Sequence, residues 1–295
     1  GTREQARTVN RTMQMFAPRL QYDLDDQQKL IAELFYRNIK MDGYSANQTQ
    51  DDKNDSIRLN TRYERKDKDL SDKIRLSVER QTETQLTRSL QNTIYTDETI
   101  NEYGLAYDGM RKLDPDRQIK FGVDARSNNL DSNVSDSLDE QRYALYAEGS
   151  WRFTDRQTIT LGARQEWLNR SGLVDYQDQH LSPVLAYRFD LTEQWSIQTN
   201  LSQAFNSPKT DRLIPNVTVS TDSDAGSLNN PDRGGNPNLK PEKTRAAEST
   251  LAYDSASGGV SLTAYHREIK DYIEKVIALE GSRYVERPQN QNEAT

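Results

Sequence analysis

The chain has 295 residues and a net charge of −7, with 33% hydrophobic and 29% charged residues and a mean hydropathy of −0.98. The acidic balance disfavours nucleic acid as a partner, and the absence of cysteine excludes disulfides and thiolate metal sites. No apolar run approaches the roughly 18 residues of a membrane-spanning helix. Because His180 and His266 lie far apart and lack ligand-like neighbours, we expect no metal site and no cofactor.

The clearest pattern is a strand-like alternation of apolar and polar residues. About twelve strands, arranged in six pairs, are predicted from it. Most are long enough to cross a bilayer, which takes a tilted strand about 9–11 residues. In chain order the predicted pairs are 16–24 with 29–39, 55–66 with 72–82, 98–109 with 118–127, 140–153 with 157–168, 181–190 with 194–205, and 244–254 with 259–270.

Each predicted strand has one apolar and one charged face, because successive side chains of a strand point to opposite sides. Opposite charges of neighbouring strands are expected to pair across the charged face. The candidates for such pairing are Arg58, Arg62 and Glu64 on one strand and Arg75 and Glu79 on the next. The alternation predicts Ile57, Leu59, Ile74, Leu76, Ile119 and Phe121 on one face, and Arg58, Arg75 and Lys120 on the other.

Short turns within the pairs alternate with longer polar connections between them. Tight turns at one end and long loops at the other are typical of bacterial outer-membrane barrels. The sequence therefore predicts an all-β fold, a transmembrane antiparallel up-and-down β-barrel. A sheet whose charged face rests in bulk solvent is the alternative. The predicted long loops are 40–54, 83–97, 128–139, 169–180 and 206–243.

Aromatic residues fall near the ends of the predicted strands. Rings that combine an apolar body with a polar tip favour the membrane–water interface. We interpret them as interfacial girdles, with ordinary sheet aromatics as the alternative. They are Tyr63, Tyr107, Trp151, Phe153, Trp167, Tyr187, Phe189, Trp195 and Tyr253.

Two motifs flank the longest predicted loop. The first is Ser202-Gln203-Ala204-Phe205-Asn206-Ser207-Pro208, and the second is Gly235-Asn236-Pro237-Asn238-Leu239-Lys240-Pro241-Glu242. Prolines fix φ and bias the preceding residue to extended conformations, which would guide the loop back to the sheet. Together the motifs resemble the late barrel region of TonB-dependent outer-membrane receptors. In that family Ser-x-Ala-Phe-x-x-Pro leads into an outer loop and Gly-Asn-Pro-x-Leu-Lys-Pro-Glu returns from it.

The resemblance implies that residues 1–295 form the middle part of a 22-stranded barrel, with a plug domain and C-terminal strands outside this chain. Asn206 stands where the family commonly has Arg or Lys, which puts one charge contact in doubt. Glu242 is placed to accept hydrogen bonds from backbone or arginine donors. The motif residues expected to be structural are Phe205, Pro208, Asn236, Pro237, Leu239, Pro241 and Glu242.

The resemblance also implies a function. Such a receptor lies in the lipid of the bacterial outer membrane and imports a scarce ligand, most often a ferric siderophore. The TonB complex supplies the energy and would act through the N-terminal region that this chain lacks. Ligand capture is expected on the loop 206–243, where Lys209, Arg212 and Arg233 suit an anionic chelate.

Three other functions are weighed against this one. Asp222, Asp224 and Asp232 of the same loop suggest calcium, but the spaced carbonyl and Glu ligands of a calcium loop are lacking. A passive porin-like channel or a structural outer-membrane barrel is the alternative reading, and a TonB box followed by a plug in the complete gene product would decide against it. An enzyme is not expected, because Ser261, Ser282 and His266 do not form a nucleophile–base arrangement.

Overall fold

A computed structural model describes residues 8–45, 48–89, 92–219 and 224–294. These residues form β-strands and one four-residue helix, α1 (Thr210–Leu213), and none of their helical structure has the length and apolarity to cross a membrane. The strands are β1 (Thr8–Phe16), β2 (Arg19–Asp23), β3 (Gln28–Tyr44), β4 (Gln48–Lys66), β5 (Leu70–Ser89), β6 (Thr93–Asp114), β7 (Arg117–Ser132), β8 (Leu138–Thr154), β9 (Gln157–Gly172), β10 (Tyr176–Asp190), β11 (Trp195–Asn206), β12 (Val217–Thr218), β13 (Asp232–Gly234), β14 (Glu242–Ser255), β15 (Gly258–Glu280) and β16 (Arg283–Ala294).

Each of the twelve predicted strands corresponds to an observed strand, and the all-β prediction is confirmed. The predicted number is wrong, because β1, β12, β13 and β16 are additional. β12 and β13 have two and three residues, too few to show a period. β16 contains Pro288 and is strongly polar, which is typical of a loop rather than of a strand.

Four of the five predicted long loops are wrong. β3 continues to Tyr44 and β4 begins at Gln48, so most of 40–54 is strand. The same holds for 83–97, 128–139 and 169–180. The cause is that a backbone ladder needs no apolar side chains: even Asp42 and Asp51 face each other in the regular β3–β4 register. In these four segments the polar composition belongs to the ends of long strands and not to loops.

The chain divides into two compact units. The first comprises Gly1–Met110, Gly122–Tyr143 and Asn169–Asp175, and the second comprises Arg111–Phe121, Ala144–Leu168 and Tyr176–Thr295. In the first unit β1, β3, β4 and β5 are antiparallel neighbours in that order, and β2 also pairs with β3. In the second unit the order is β10, β11, β14, β15, β16, β13, β12, antiparallel except where β13 runs parallel to β16.

The predicted register is confirmed in β4 and β5. Leu59 lies opposite Val78 and Tyr63 lies opposite Ile74, so the apolar residues share one face. That face is not packed against a core: Ile57 is 49% exposed, and Leu59, Ile74 and Leu76 are exposed as well. In β7, Ile119 and Phe121 alternate with Lys120, whose ammonium lies 3.2 Å from Glu148. The buried apolar side chains of the described residues are Ile31, Ala106, Ala144, Leu168, Val174, Leu213, Leu239, Ile273 and Val285.

The charged face of the first unit carries ion pairs, partly as predicted. Arg58 and Glu79 are direct register partners, and their side chains lie 2.6 Å apart. Arg62 instead pairs along its own strand with Glu64, at 2.7 Å. Arg75 pairs with Asp108 of β6 at 2.8 Å rather than with a β4 residue. Such half-exposed pairs contribute little to stability and mainly keep the face polar.

Aromatic side chains mark the short-turn ends of the strands. The Trp195 and Tyr253 rings lie 5.0 Å apart between centroids. Tyr63, Tyr107 and Tyr187 each donate a hydrogen bond to a polar residue at the start of an adjacent strand, at 2.6, 2.7 and 2.8 Å respectively. A ring on the apolar face with its hydroxyl bonded to a strand end is the arrangement expected at a membrane interface.

Candidate functional site: the loop between β11 and β14

The long connection between β11 and β14 runs from 207 to 241, and the structure describes 207–219 and 224–241 of it. It is slightly shorter than the predicted loop 206–243 because Asn206, Glu242 and Lys243 belong to strands. The described parts are folded rather than extended. Leu213 at the end of α1 is fully buried, and Pro208 and Leu239 are buried too. The loop therefore carries its own apolar anchors at its departure from β11 and at its return to β14.

The middle of the loop is attached to β16. β13 pairs in parallel with β16, with Asp232 opposite Val285. Asp232 is 1% exposed and accepts two hydrogen bonds from Arg283, at 2.5 Å from Nε and 2.8 Å from Nη2. The hydrogen bonds to the Asp232 carboxylate raise the pKa of the Arg283 guanidinium. A forked pair of this kind fixes orientation as well as distance.

This pairing removes Asp232 from the suggested calcium set. Asp224 accepts a hydrogen bond from the Asn230 amide at 3.1 Å, and Asp222 lies outside the described residues. The described part of the chain holds no group of three or more His, Cys, Asp or Glu side chains placed to bind a metal ion. The sequence could not indicate this, because Asp232 and Arg283 are 51 residues apart.

Arg287 of β16 ties two other parts of the loop together. Its Nη1 donates to the carbonyl oxygens of Pro215 at 3.0 Å and Gly235 at 2.6 Å. Its Nε and Nη2 donate to the Glu280 carboxylate at 2.7 and 3.1 Å. Glu280 ends a 23-residue strand that begins at the short turn, well past the roughly 9–11 residues needed to cross a bilayer. The guanidinium lowers the pKa of Glu280.

The backbone around Gly235 is crowded by the α1 segment. Its N–H donates to Ile214 O at 2.8 Å, and the next N–H, of Asn236, donates to Arg212 O at 2.7 Å. A Cβ added at Gly235 would lie 2.3 Å from Ile214 O and 2.8 Å from Arg212 O, both backbone atoms. Only glycine permits this close approach, and the two hydrogen bonds join the start of the loop to its end.

The return motif is bonded to β15 and β16. The Asn236 amide donates to Pro288 O at 3.1 Å, while its oxygen accepts the Asn238 N–H at 3.0 Å. Asn290 brackets Lys240, accepting from its N–H at 2.8 Å and donating to its carbonyl at 3.0 Å. The motif thus supplies polar contacts that hold the loop end against the sheet.

Glu242 lies between two strands. One carboxylate oxygen accepts the Ile273 N–H, and the other accepts the Asn206 amide, both at 2.9 Å. The prediction that Glu242 accepts a backbone hydrogen bond agrees with this geometry. Asn206 occupies the position of the usual basic residue and contacts Glu242 as a neutral donor.

Phe205 stacks on His180, with ring centroids 4.7 Å apart. The expectation that His180 lacks ligand-like neighbours is wrong. Its Nε2 lies 3.1 Å from Glu166 and its Nδ1 lies 3.7 Å from Asp178, which also accepts a 2.7 Å hydrogen bond from Ser207. Pairing of β10 with its neighbours brings these groups together, which sequence spacing could not indicate. The cluster fixes the point where the chain leaves β11.

The three predicted ligand-binding cations are placed around these anchors. Lys209 precedes α1 and is exposed, Arg212 lies within α1 and is half-buried, and Arg233 lies exposed on β13. Their side chains have no hydrogen-bond or ion-pair partner among the described residues. Arg283 and Arg287, by contrast, are occupied by carboxylates. The backbone hydrogen bond from Asn236 to Arg212 connects the α1 segment with the return motif, which follows the β13 strand that carries Arg233.

The charged face of the first unit is a weaker candidate. It borders a hollow of about 540 Å³. Five arginines and five acidic residues line it, so the charges of the two signs balance and no net field favours an anion. These residues are Arg58, Arg62, Arg75, Arg126, Arg142, Glu33, Glu79, Glu102, Asp124 and Glu140.

Comparison with known proteins supports this description. The iron-regulated outer membrane virulence protein of Vibrio cholerae serotype O1 (El Tor Inaba) is 24% identical over 208 residues, 68% of this chain and 28% of that protein. The siderophore receptor PirA of Pseudomonas aeruginosa has a TM-score of 0.65 at 15% identity, covering 95% of this chain and 57% of its own. A double mutant of the Serratia marcescens hemophore receptor HasR, in complex with hemophore HasA and heme, has a TM-score of 0.68 at 15% identity, covering 94% and 49%.

The chain thus spans less than a third of the curated relative and about half of each solved receptor. The structural likeness concerns the fold, since the identities are low. The family model for TonB dependent receptor-like β-barrels matches residues 2–295. The family model, the Vibrio cholerae relative and the solved receptors together confirm the predicted fold class and the outer-membrane location. The family is one of receptors and transporters. The chain belongs to the TonB-dependent receptor family and forms part of its β-barrel domain.

Proposed function

We propose that this chain is part of an active outer-membrane transporter that captures a ferric siderophore on the loop 207–241 and imports it with energy from TonB. The observation that carries the proposal is the division of the loop's basic residues. Arg283 and Arg287 hold the loop, whereas Lys209, Arg212 and Arg233 have no partner among the described residues. Three unneutralised cations on an anchored loop suit an anionic chelate.

The relatives support this ligand class without fixing it. PirA is a siderophore receptor and the Vibrio cholerae protein is iron-regulated, whereas HasR binds a hemophore and heme. A ferric siderophore offers negatively charged oxygens around its metal, which accept charge-assisted hydrogen bonds from guanidinium and ammonium groups. TonB would act through a region outside this chain.

The test uses the complete receptor and the triple variant Lys209→Gln, Arg212→Gln, Arg233→Gln. Binding of a ferric catecholate, a ferric hydroxamate and haem is measured by quenching of tryptophan fluorescence. For the true ligand class the triple variant should bind at least about tenfold more weakly, because hydrogen bonds to charged groups contribute about 1.5–3 kcal/mol each. The matched control is Lys68→Gln, which removes an exposed cation from the short turn between β4 and β5.

Uptake separates the transporter from a passive channel. Radiolabelled chelate should accumulate in cells with TonB and fail to accumulate in cells without it. Uptake that persists without TonB would favour the channel, and unchanged affinity in the triple variant would remove these cations from the capture site.

A further inference from the structure

A second candidate site lies on the apolar face of the second unit, on β10, β11, β14 and β15. Cross-strand partners share a face, so the register sorts that face into rows. Apolar rows begin at the short-turn end, and the rows become charged toward the long loop. From the short-turn end the rows are Trp195, Tyr253 and Val260; Phe189, Ile197, Leu251 and Leu262; Tyr187, Thr199, Ser249 and Ala264; Leu185, Leu201, Ala247 and His266; Gln203, Arg245 and Glu268; and Phe205, Lys243 and Lys270.

The first charged row lies near the edge of the membrane's apolar layer. Trp195 and Gln203 are eight residues apart on β11, which is about 26 Å at about 3.3 Å per residue. With the usual strand tilt of about 35–45°, this corresponds to about 20 Å along the membrane normal, against an apolar band about 25 Å tall. Arg245, opposite Gln203, therefore lies about 5 Å inside the far edge of the apolar band, and its long side chain can extend to the head groups.

An apolar groove adjoins this row. It has a volume of about 510 Å³, and its walls include Leu161 and Leu201, which are 57% and 44% exposed. Ala247, the register partner of Leu201, lies in its lining and leaves the space beside Leu201 open. Arg245, His266 and Glu268 border the same groove. One end of the groove is thus apolar and the other end is polar.

Among the basic residues of the two charged rows, Arg245 is the one that makes no ion pair with a described residue. Lys270 is paired with Glu268 at 3.0 Å, and Lys243 lies 4.0 Å from Asp271. Arg245 donates to the neutral Gln203 amide oxygen at 3.3 Å and has no ion pair among the described residues. Glu268, the register partner of Arg245, pairs with Lys270 instead, so the Arg245 guanidinium keeps further donors beside the apolar groove.

We propose that this groove binds a lipid with a phosphorylated head group, from the leaflet at the long-loop end of the sheet. The phosphate is held by Arg245, with Lys243 nearby, and an acyl chain fills the groove between Leu161 and Leu201. A guanidinium matches phosphate with two parallel hydrogen bonds. The apolar groove requires an acyl chain, which a soluble phosphate ester lacks. This inference rests on the outer-membrane location and not on the transported ligand.

The test titrates the complete receptor in detergent with dimyristoyl phosphatidylglycerol and counts bound lipid by native mass spectrometry. Arg245→Gln should weaken binding about fivefold, as expected for one basic residue at a membrane surface. Ala247→Trp should block the groove and weaken binding independently of charge. The matched control is Arg188→Gln, which lies on the opposite face of β10 and is paired with Asp190 at 2.9 Å.

Two other probes distinguish the possible outcomes. Zwitterionic dimyristoyl phosphatidylcholine should bind more weakly than phosphatidylglycerol, and glycerol 3-phosphate should not bind. Equal retention of both lipids would mean apolar contact only and overturn the proposal. Binding of glycerol 3-phosphate, or equal lipid binding by the Arg245→Gln variant and the unaltered receptor, would overturn it as well.

Discussion

Substitution of Gly235 by alanine tests whether the long loop is held by its backbone contacts. The new Cβ would meet Ile214 O at 2.3 Å, about 1 Å closer than an ordinary contact, and the obstructing atoms belong to the backbone. The α1 segment must therefore move away from the return motif. This breaks the hydrogen bonds from Gly235 to Ile214 and from Asn236 to Arg212, each contributing about 1 kcal/mol.

The resulting loss of about 2 kcal/mol concerns opening of the loop, not unfolding of the sheet. Amide hydrogen exchange followed by mass spectrometry should show about 30-fold faster exchange in 207–219 and 232–241. Exchange in β14 should stay unchanged. Gly149→Ala is the matched control, because an added Cβ there meets no atom within 4 Å. Loop protection in the Gly235→Ala variant equal to that of the control would refute the described anchoring.

Two further predictions concern the loop's polar contacts. Arg287 lowers the pKa of Glu280, so their interaction is complete above the ordinary carboxyl pKa and is lost as pH falls through the depressed value. Exchange in 232–241, corrected for intrinsic rate, should therefore rise below about pH 4, and Glu280→Gln should remove that dependence. Asn206→Lys places a cation opposite Glu242 and should change the free energy of unfolding in urea by less than about 1 kcal/mol. A larger loss would mean that this position cannot accept the basic residue common in the family.

The apolar face was predictable because it follows from a period of two, which local sequence contains. Ile57 and Leu59 lie where their spacing places them, and the short turns end the strands near the predicted positions. The strand tips were not predictable in the same way. Beyond the apolar layer both faces meet water, so the pattern disappears while the ladder continues, as in the pairing of Asp42 with Asp51.

In the candidate site, too, the residues with a local sequence signal were predictable and those that act over long sequence separations were not. The motif residues were found because their prolines and Asn236 have local geometry that sequence letters reveal. Arg283, Arg287 and Asn290 were missed, because each acts across 50 or more residues and nothing in their own surroundings distinguishes them from solvated side chains. Sequence reasoning also could not separate these anchoring arginines from Arg212 and Arg233, which have the same chemistry and no partner among the described residues.

Anchoring has a consequence for ligand capture. A loose loop must lose conformational entropy when it closes on a ligand, which weakens binding by the cost of ordering each side chain and its backbone. The contacts of Asp232, Asn236 and Arg287 have already ordered the described parts of the loop, 207–219 and 224–241, before any ligand arrives. Gly235→Ala should therefore lower ligand affinity although it removes no cation. If exchange accelerates while affinity stays the same, the cations act independently of loop order, and long-range attraction rather than a shaped site would account for capture.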